Sequence, residues 1–64
     1  MEPLPLEATA SQTSQWLQSN RFGQFLRTFN SFGGADILRL TRDDMIQICG
    51  LVDGIRLFNA LHSK

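Results

Sequence analysis

Thr41-Arg42-Asp43-Asp44-Met45-Ile46-Gln47-Ile48-Cys49-Gly50-Leu51-Val52-Asp53-Gly54-Ile55-Arg56-Leu57-Phe58-Asn59-Ala60-Leu61 reads as two helices separated by a glycine. Thr41 stands three positions ahead of Asp44, the spacing at which a hydroxyl and a carboxylate satisfy each other's unpaired amides at a helix start. Asp43 and Asp44 lie in the first turn, where the helix dipole favours negative charge. Met45, Ile46 and Ile48 follow on this helix, and Gly50 closes it. A last helix starts at Leu51 or Val52, with Ile55, Phe58 and Leu61 at steps of three and Leu57 broadening the stripe. Asp53 in its first turn, and His62 and Lys64 in its last, follow the order the dipole prefers.

Working outward towards the N-terminus, Ala35-Asp36-Ile37-Leu38-Arg39-Leu40 is long enough for a turn or so of helix, with Ile37, Leu38 and Leu40 inward. Before it, Asn30-Ser31-Phe32-Gly33-Gly34 is a stop, where consecutive glycines permit left-handed backbone, and Phe32 folds back from the loop into the core. Phe22, Phe25, Leu26, Phe29 and Phe32 recur at steps of three and four, predicting a helix through about Phe29. Thr9-Ala10-Ser11-Gln12 has the spacing of another capping box and opens a helix that runs to about Asn20. On it Thr13, Trp16 and Leu17 share a face, and its many Ser, Thr and Gln residues make the docking of Trp16 the main source of its stability. Residues 1–8, with Pro3 and Pro5, read as an extended or disordered tail, which leaves residues 9–64 as one compact all-α bundle of about five short helices.

Composition narrows the function. A chain of 64 residues is one small domain, near the lower limit of what folds without a disulfide or a metal. One cysteine makes no internal bridge, and Cys49 and His62 cannot by themselves supply a tetrahedral metal site, so neither a metal nor a cofactor is expected. No apolar run approaches the roughly 20 residues of a membrane span, and Met1-Glu2-Pro3-Leu4-Pro5 has no basic and then apolar pattern of a signal or transit peptide. Neither a membrane nor a small-molecule substrate is expected as a partner. Catalysis is not expected either: there is no Tyr, no serine in a nucleophile elbow, and the lone His and Cys sit on different helices. Asp43 and Asp44 are adjacent and point about 100° apart on a helix, so they form no acid–base pair. Cys49 beside Gly50 reads as a half-buried structural thiol, and His62 as solvent-facing.

Charge is balanced overall, six Lys plus Arg against six Asp plus Glu, yet unevenly placed. Residues 36–53 carry Asp36, Asp43, Asp44 and Asp53 against Arg39 and Arg42, a net of −2, whereas the end adds Arg56 and Lys64. Two unlike patches of this kind suit head-to-tail contact between copies, although a solvated mixture of surface charges would look the same.

Taken in order, Trp16-Leu17, Phe22 and Phe25, Gly34-Ala35-Asp36-Ile37-Leu38-Arg39-Leu40-Thr41, Asp44-Met45 and Asp53-Gly54-Ile55-Arg56 resemble the sterile alpha motif domain, a five-helix interaction module. Ser14-Gln15-Trp16-Leu17, Asn20-Arg21-Phe22 and the run from Leu40 to Leu61 are similar, more narrowly, to the version in grainyhead-related transcription factors of the late simian-virus factor branch. The resemblance implies a nuclear transcription factor whose immunoglobulin-like DNA-binding region lies elsewhere, this domain serving association with itself, with related family members and with other transcription regulators. It implies a mid-loop surface, onto which Asp36, Asp43 and Asp44 map, meeting an end-helix surface of the next copy, onto which Val52, Gly54, Ile55 and Arg56 map. Heterotypic docking without self-association, and binding of an RNA hairpin at the start of the last helix, are the alternatives; Asp53 beside Arg56 thins the positive footprint the latter requires. Cys49 stands where many members have glycine, and the last helix is short, so the turn between the last two helices and the basic face beyond it depart from the family pattern.

Overall fold

The computed structural model describes residues 3–62, which form four α-helices and one 3-10 turn with no strand. They are α1 (Ala10–Ser19), the 3-10 turn (Gly23–Phe25), α2 (Gly34–Leu38), α3 (Arg42–Cys49) and α4 (Leu51–Leu61). The expected class is therefore observed, but the slot of the expected second helix is filled by turns, not by an α-helix.

Both capping boxes form. The Thr9 hydroxyl accepts from the Gln12 amide while Gln12 Oε1 accepts from the Thr9 amide, at 3.1 and 2.9 Å. Thr41 and Asp44 exchange the equivalent pair at 3.1 and 3.0 Å. Thr13, fully buried, donates its hydroxyl proton to the Thr9 carbonyl at 2.9 Å, so its burial leaves no polar atom unpaired.

The end of α1 explains the missing second helix. Arg21 has φ 68°, a left-handed conformation that is unusual for a side chain other than glycine or asparagine. Its amide donates to Gln18 and that of Phe22 to Leu17, the crossed bonds of a Schellman motif. Phe22 then stacks on Trp16 at 6.2 Å, the apolar contact that accompanies such a stop. From there the chain has Gly23, no side-chain cap and a run of phenylalanines, all poor for helix propagation. Steps of three and four are equally served by consecutive tight turns, and Phe22 and Phe29 are buried that way while Phe25 and Leu26 are half-buried. Phe32 does return to the core, its ring edge-on to Phe29 at 5.2 Å.

The two glycines of the loop act differently from the expectation. Neither is left-handed: Gly33 is extended at φ −80°, and Gly34 is the first residue of α2. The Asp36 carboxylate accepts from the Gly33 amide at 3.1 Å. Gly34 is required by proximity, because a Cβ there would collide with the Pro5 carbonyl oxygen and lie 3.1 Å from Ala8 Cβ. Its amide donates to the Ala8 carbonyl at 2.8 Å.

That contact sets part of the segment read as an extended or disordered tail, residues 1–8, against the domain. Met1 and Glu2 lie outside the described residues, as does Lys64, but residues 3–8 form a strap across α2. Leu4 and Ala8 belong to the buried core, with Leu6 left exposed between them. Prolines exclude helix without excluding burial, and two apolar side chains four positions apart suffice to dock a short strap.

Phe29, Leu17, Ile37, Met45, Leu57 and Thr13 form the fully buried centre. On α4 the inward line is Gly54, Leu57, Ala60 and Leu61; of the expected stripe Leu57 and Leu61 lie on it, whereas Ile55 and Phe58 are only half-buried. The phase is set by the contact with α3, the most extensive between helices.

Candidate interaction surfaces

Gly50 holds the two helices in one fixed relation. Its φ of 97° is open to glycine and strained for other residues. Its amide caps α3 on the Ile46 carbonyl at 2.8 Å, and its carbonyl accepts the first α4 bond from Gly54 at 2.7 Å. One residue thus ends one helix and starts the next, and the departure from the family pattern at Cys49 is accommodated because Gly50 takes the special conformation. Cys49 is half-buried, as expected, and burial first, then the Asp53 carboxylate, push its thiol pKa up.

The start of α4 carries an apolar surface facing outward. Leu51 and Val52 are 64% and 68% exposed and Ile48, at the end of α3, is 43% exposed. Val52 and Arg56 of the expected end-helix set are exposed, with Ile55 half-buried between them. Gly54 is not available to a partner: it is buried against α3, where an added Cβ would lie 2.6 Å from Ile46 Cα. Leu51, by contrast, belongs with this surface and was absent from the expected set. Periodicity does not single it out: Val52 is out of phase with Gly54, Leu57 and Leu61, but Leu51 lies three positions before Gly54 and is exposed as the first residue of α4.

Arg56 is held on both sides. Its guanidinium lies 3.6 Å from the Asp53 carboxylate, three positions earlier, and 5.8 Å from the centre of the Phe22 ring. Asp53 is fixed from another element, accepting from Gln24 Nε2 at 3.2 Å. The described part of α4 therefore presents one base compensated by one acid, so a basic last helix is not what this surface displays. Exposed pairs of this kind contribute roughly 0–1 kcal/mol, so the pair can open to other partners at small cost.

The expected mid-loop residues are all exposed: Asp36 on α2, Asp43 and Asp44 in the first turn of α3. They differ in how committed they are. Asp44 is engaged in its capping box, and Asp36 accepts from Gly33. Beside Asp36 a hollow of about 360 Å³ opens between Ser31, Phe32, Asp36 and Arg39. A groove of about 520 Å³ lies on the other side, between the N-terminal strap and α1, with Trp16 in its wall. Among the described residues no helix is long and apolar enough to cross a membrane, and no group of three His, Cys, Asp or Glu is placed to hold a metal ion.

Comparison with known proteins gives one family match: the model of the SAM domain (sterile alpha motif) fits residues 3–62. Alpha-globin transcription factor CP2 of Homo sapiens is 61% identical over 56 residues, covering 88% of this chain and 11% of that protein. Transcription factor CP2-like protein 1 of Homo sapiens is 56% identical over 57 residues, 89% of this chain and 12% of its own length. Upstream-binding protein 1 of Homo sapiens is 51% identical over 63 residues, with 98% and 12% covered. The chain thus spans only a small part of the curated relatives it matches. No solved structure gives a significant match.

Proposed function

This chain belongs to the sterile alpha motif family, a family of protein-interaction modules, and from that premise we propose that it joins copies of a CP2-type transcription factor head to tail. In this reading the α4 start of one copy, Val52, Ile55 and Arg56 together with Leu51, meets the acidic α2–α3 surface of the next, Asp36, Asp43 and Asp44. The parent protein acts in the nucleus, contacts DNA through a separate region, and associates with itself, with related factors and with other regulators. The observation that carries the reading is the exposure of Leu51 and Val52, at 64% and 68%, at the start of α4 and one turn before the exposed Arg56. Burying two aliphatic side chains contributes about 3–6 kcal/mol. Association itself opposes this by about 4 kcal/mol or more, so these two side chains alone leave at most about 2 kcal/mol, short of the roughly 4 kcal/mol of a millimolar complex, and the other contacts between the two surfaces must supply the rest. RNA hairpin binding has less support, because Asp53 compensates the arginine that would face the phosphates.

Sedimentation velocity over a wide concentration range tests the proposal. Wild type is expected to gain mass with concentration, and Val52→Glu, Arg56→Glu and the Asp43→Lys, Asp44→Lys double change are each expected to stay monomeric. Mixing an end-helix variant with the mid-surface variant should give a dimer that grows no further, since one intact surface of each kind remains. A wild type that stays monomeric throughout, yet is captured by a related factor, would replace self-association with heterotypic docking.

A further inference from the structure

We propose that the groove between the N-terminal strap and α1 is a docking site for a proline-rich peptide segment, taken up as one turn of polyproline II helix with uncharged side chains. The inference stands apart from self-association, because none of the residues proposed to join copies lines this groove.

The groove holds about 520 Å³, within the range of ligand clefts, about 300–1,000 Å³. Pro3 and Pro5 line it from the strap, and Gln12, Gln15, Trp16 and Ser19 from one stripe of α1. Both sides are fixed before a ligand arrives. The strap is tied to α2 by the Gly34 amide on the Ala8 carbonyl at 2.8 Å, and closed on itself by the Ala8 amide on the Pro5 carbonyl at 3.1 Å. Trp16 is stacked on Phe22 and buried apart from the edge it shows the groove.

Charge, length and hydrogen bonding select the occupant. Among the described residues no charged side chain lines the groove, so nothing there pairs with an acidic or basic motif. From Gln12 to Ser19 the helix rises about 10 Å, close to one turn of polyproline II, three residues at about 3.1 Å each. A helical ligand about 10 Å across would need roughly 800 Å³ over that length, more than the groove holds. A strand would need a sheet edge to add to, and there is no strand among the described residues. A polyproline II segment has no internal hydrogen bonds, so its carbonyls are open to donors from the groove. Gln12 supplies one, because its Oε1 accepts from the Thr9 amide at 2.9 Å and its Nε2 hydrogens are left to a ligand. The exposed Gln15 and Ser19 add an amide and a hydroxyl. The Trp16 edge and the two strap prolines supply ring surfaces for the ligand's own rings, the packing by which aromatic-lined grooves take proline-rich segments.

The test titrates the full chain into fluorescein-labelled decaproline and follows anisotropy, with the emission of Trp16, the chain's only tryptophan, as a second readout. Saturable binding with a Kd below about 1 mM and a shift in Trp16 emission are expected, and a glycine–serine peptide of the same length should give neither. Ser19→Arg sets a long charged side chain in the groove and should weaken binding by about tenfold or more. As a cation in the last turn of α1 it suits the helix dipole, so the fold is kept. Gln15→Ala should weaken binding about threefold, whereas Gln47→Ala, exposed on α3 and outside the groove, should bind as wild type does. Circular dichroism melts confirm that the variants compared are folded. The proposal is overturned if decaproline does not bind, if the glycine–serine peptide binds equally well, or if Ser19→Arg and Gln15→Ala leave binding unchanged. It is overturned also if an amphipathic helical peptide displaces decaproline and binds more tightly. None of these results depends on whether the chain associates with itself.

Discussion

Replacing Gly54 by alanine asks whether this glycine serves the fold or a partner. In an exposed helix the change stabilises by about 1 kcal/mol, because glycine is the poorer helix former. Here the new Cβ would lie 2.6 Å from Ile46 Cα and 2.7 Å from both the Ile46 nitrogen and the Met45 carbonyl oxygen. Carbon atoms settle at about 3.5–4.0 Å, so α3 and α4 must separate by roughly 1 Å. All three neighbours are backbone atoms, and no rotamer change removes the clash. Separation also loosens Met45 and Leu57, both fully buried; a gap of about 0.5–1 Å forfeits a quarter to a half of each contact energy. Overpacking costs typically about 1–3 kcal/mol; three backbone contacts with no rotamer escape put this site in the upper part, about 2–3 kcal/mol, so with the helix gain set against it the net loss is about 1–2 kcal/mol, or a fall in Tm of about 4–16 °C for a domain of this size. Urea and thermal unfolding followed by Trp16 fluorescence, at concentrations too low for association to contribute, measure it. A Gly54→Ala protein that melts at or above wild type would refute the packing account and return Gly54 to the set of residues a partner approaches.

Removal of residues 1–8 is expected to destabilise the domain by about 2–4 kcal/mol, from the exposure of the Leu4 site and loss of the Gly34–Ala8 hydrogen bond; urea titration that matches the full chain would show that the strap contributes nothing. Cys49 sets a pH dependence. Its pKa is raised in the fold, by burial and then by Asp53, so below the ordinary value both states keep the proton and stability is unaffected. As pH rises through the ordinary value of 9.0, the unfolded chain ionises first and stability falls. Iodoacetamide alkylation should show a native rate midpoint at higher pH than the urea-unfolded chain, and Cys49→Ala should flatten the alkaline loss of stability; coincident midpoints would contradict this.

Local chemistry was legible wherever one short motif decides the outcome. Thr9 with Gln12 and Thr41 with Asp44 need only a spacing of three, and Gly50 needs only its place between two apolar runs. The unread features depend on contacts between distant segments. Arg21 ends α1 in a left-handed conformation with no glycine to announce it, and it holds because Phe22 stacks on Trp16. The phenylalanine run has helical spacing but is assembled from turns, since a step of three serves both. Gly33 and Gly34 look like a flexible pair, yet Gly34 is needed for the approach of Pro5 and Ala8, nearly 30 residues earlier in the chain. Of the anticipated surface residues, Val52 and Arg56 are exposed because they lie opposite the inward line, and Gly54 is buried because it lies on it.

The interaction surface is thus a consequence of how the domain packs internally. A helix of 11 residues can bury one stripe, and the close approach at Gly54 forces that stripe to run through Leu57 and Leu61. Val52 stands about 200° of helical rotation before Gly54, on the far side of α4, so it cannot turn inward without expelling the glycine from α3, whereas Leu51, about 60° from Gly54 on the wheel, is exposed as the first residue of the helix. The exposure of Val52 therefore does not reflect slack in the fold. Gly50 ties the two helices together, its amide bonded to α3 and its carbonyl to α4. Beside these two side chains Arg56 lies against Asp53 and Asp53 against Gln24, exposed contacts that give the surface a preferred arrangement at small energy. An arrangement already populated before contact lowers the ordering cost that the proposed association would meet.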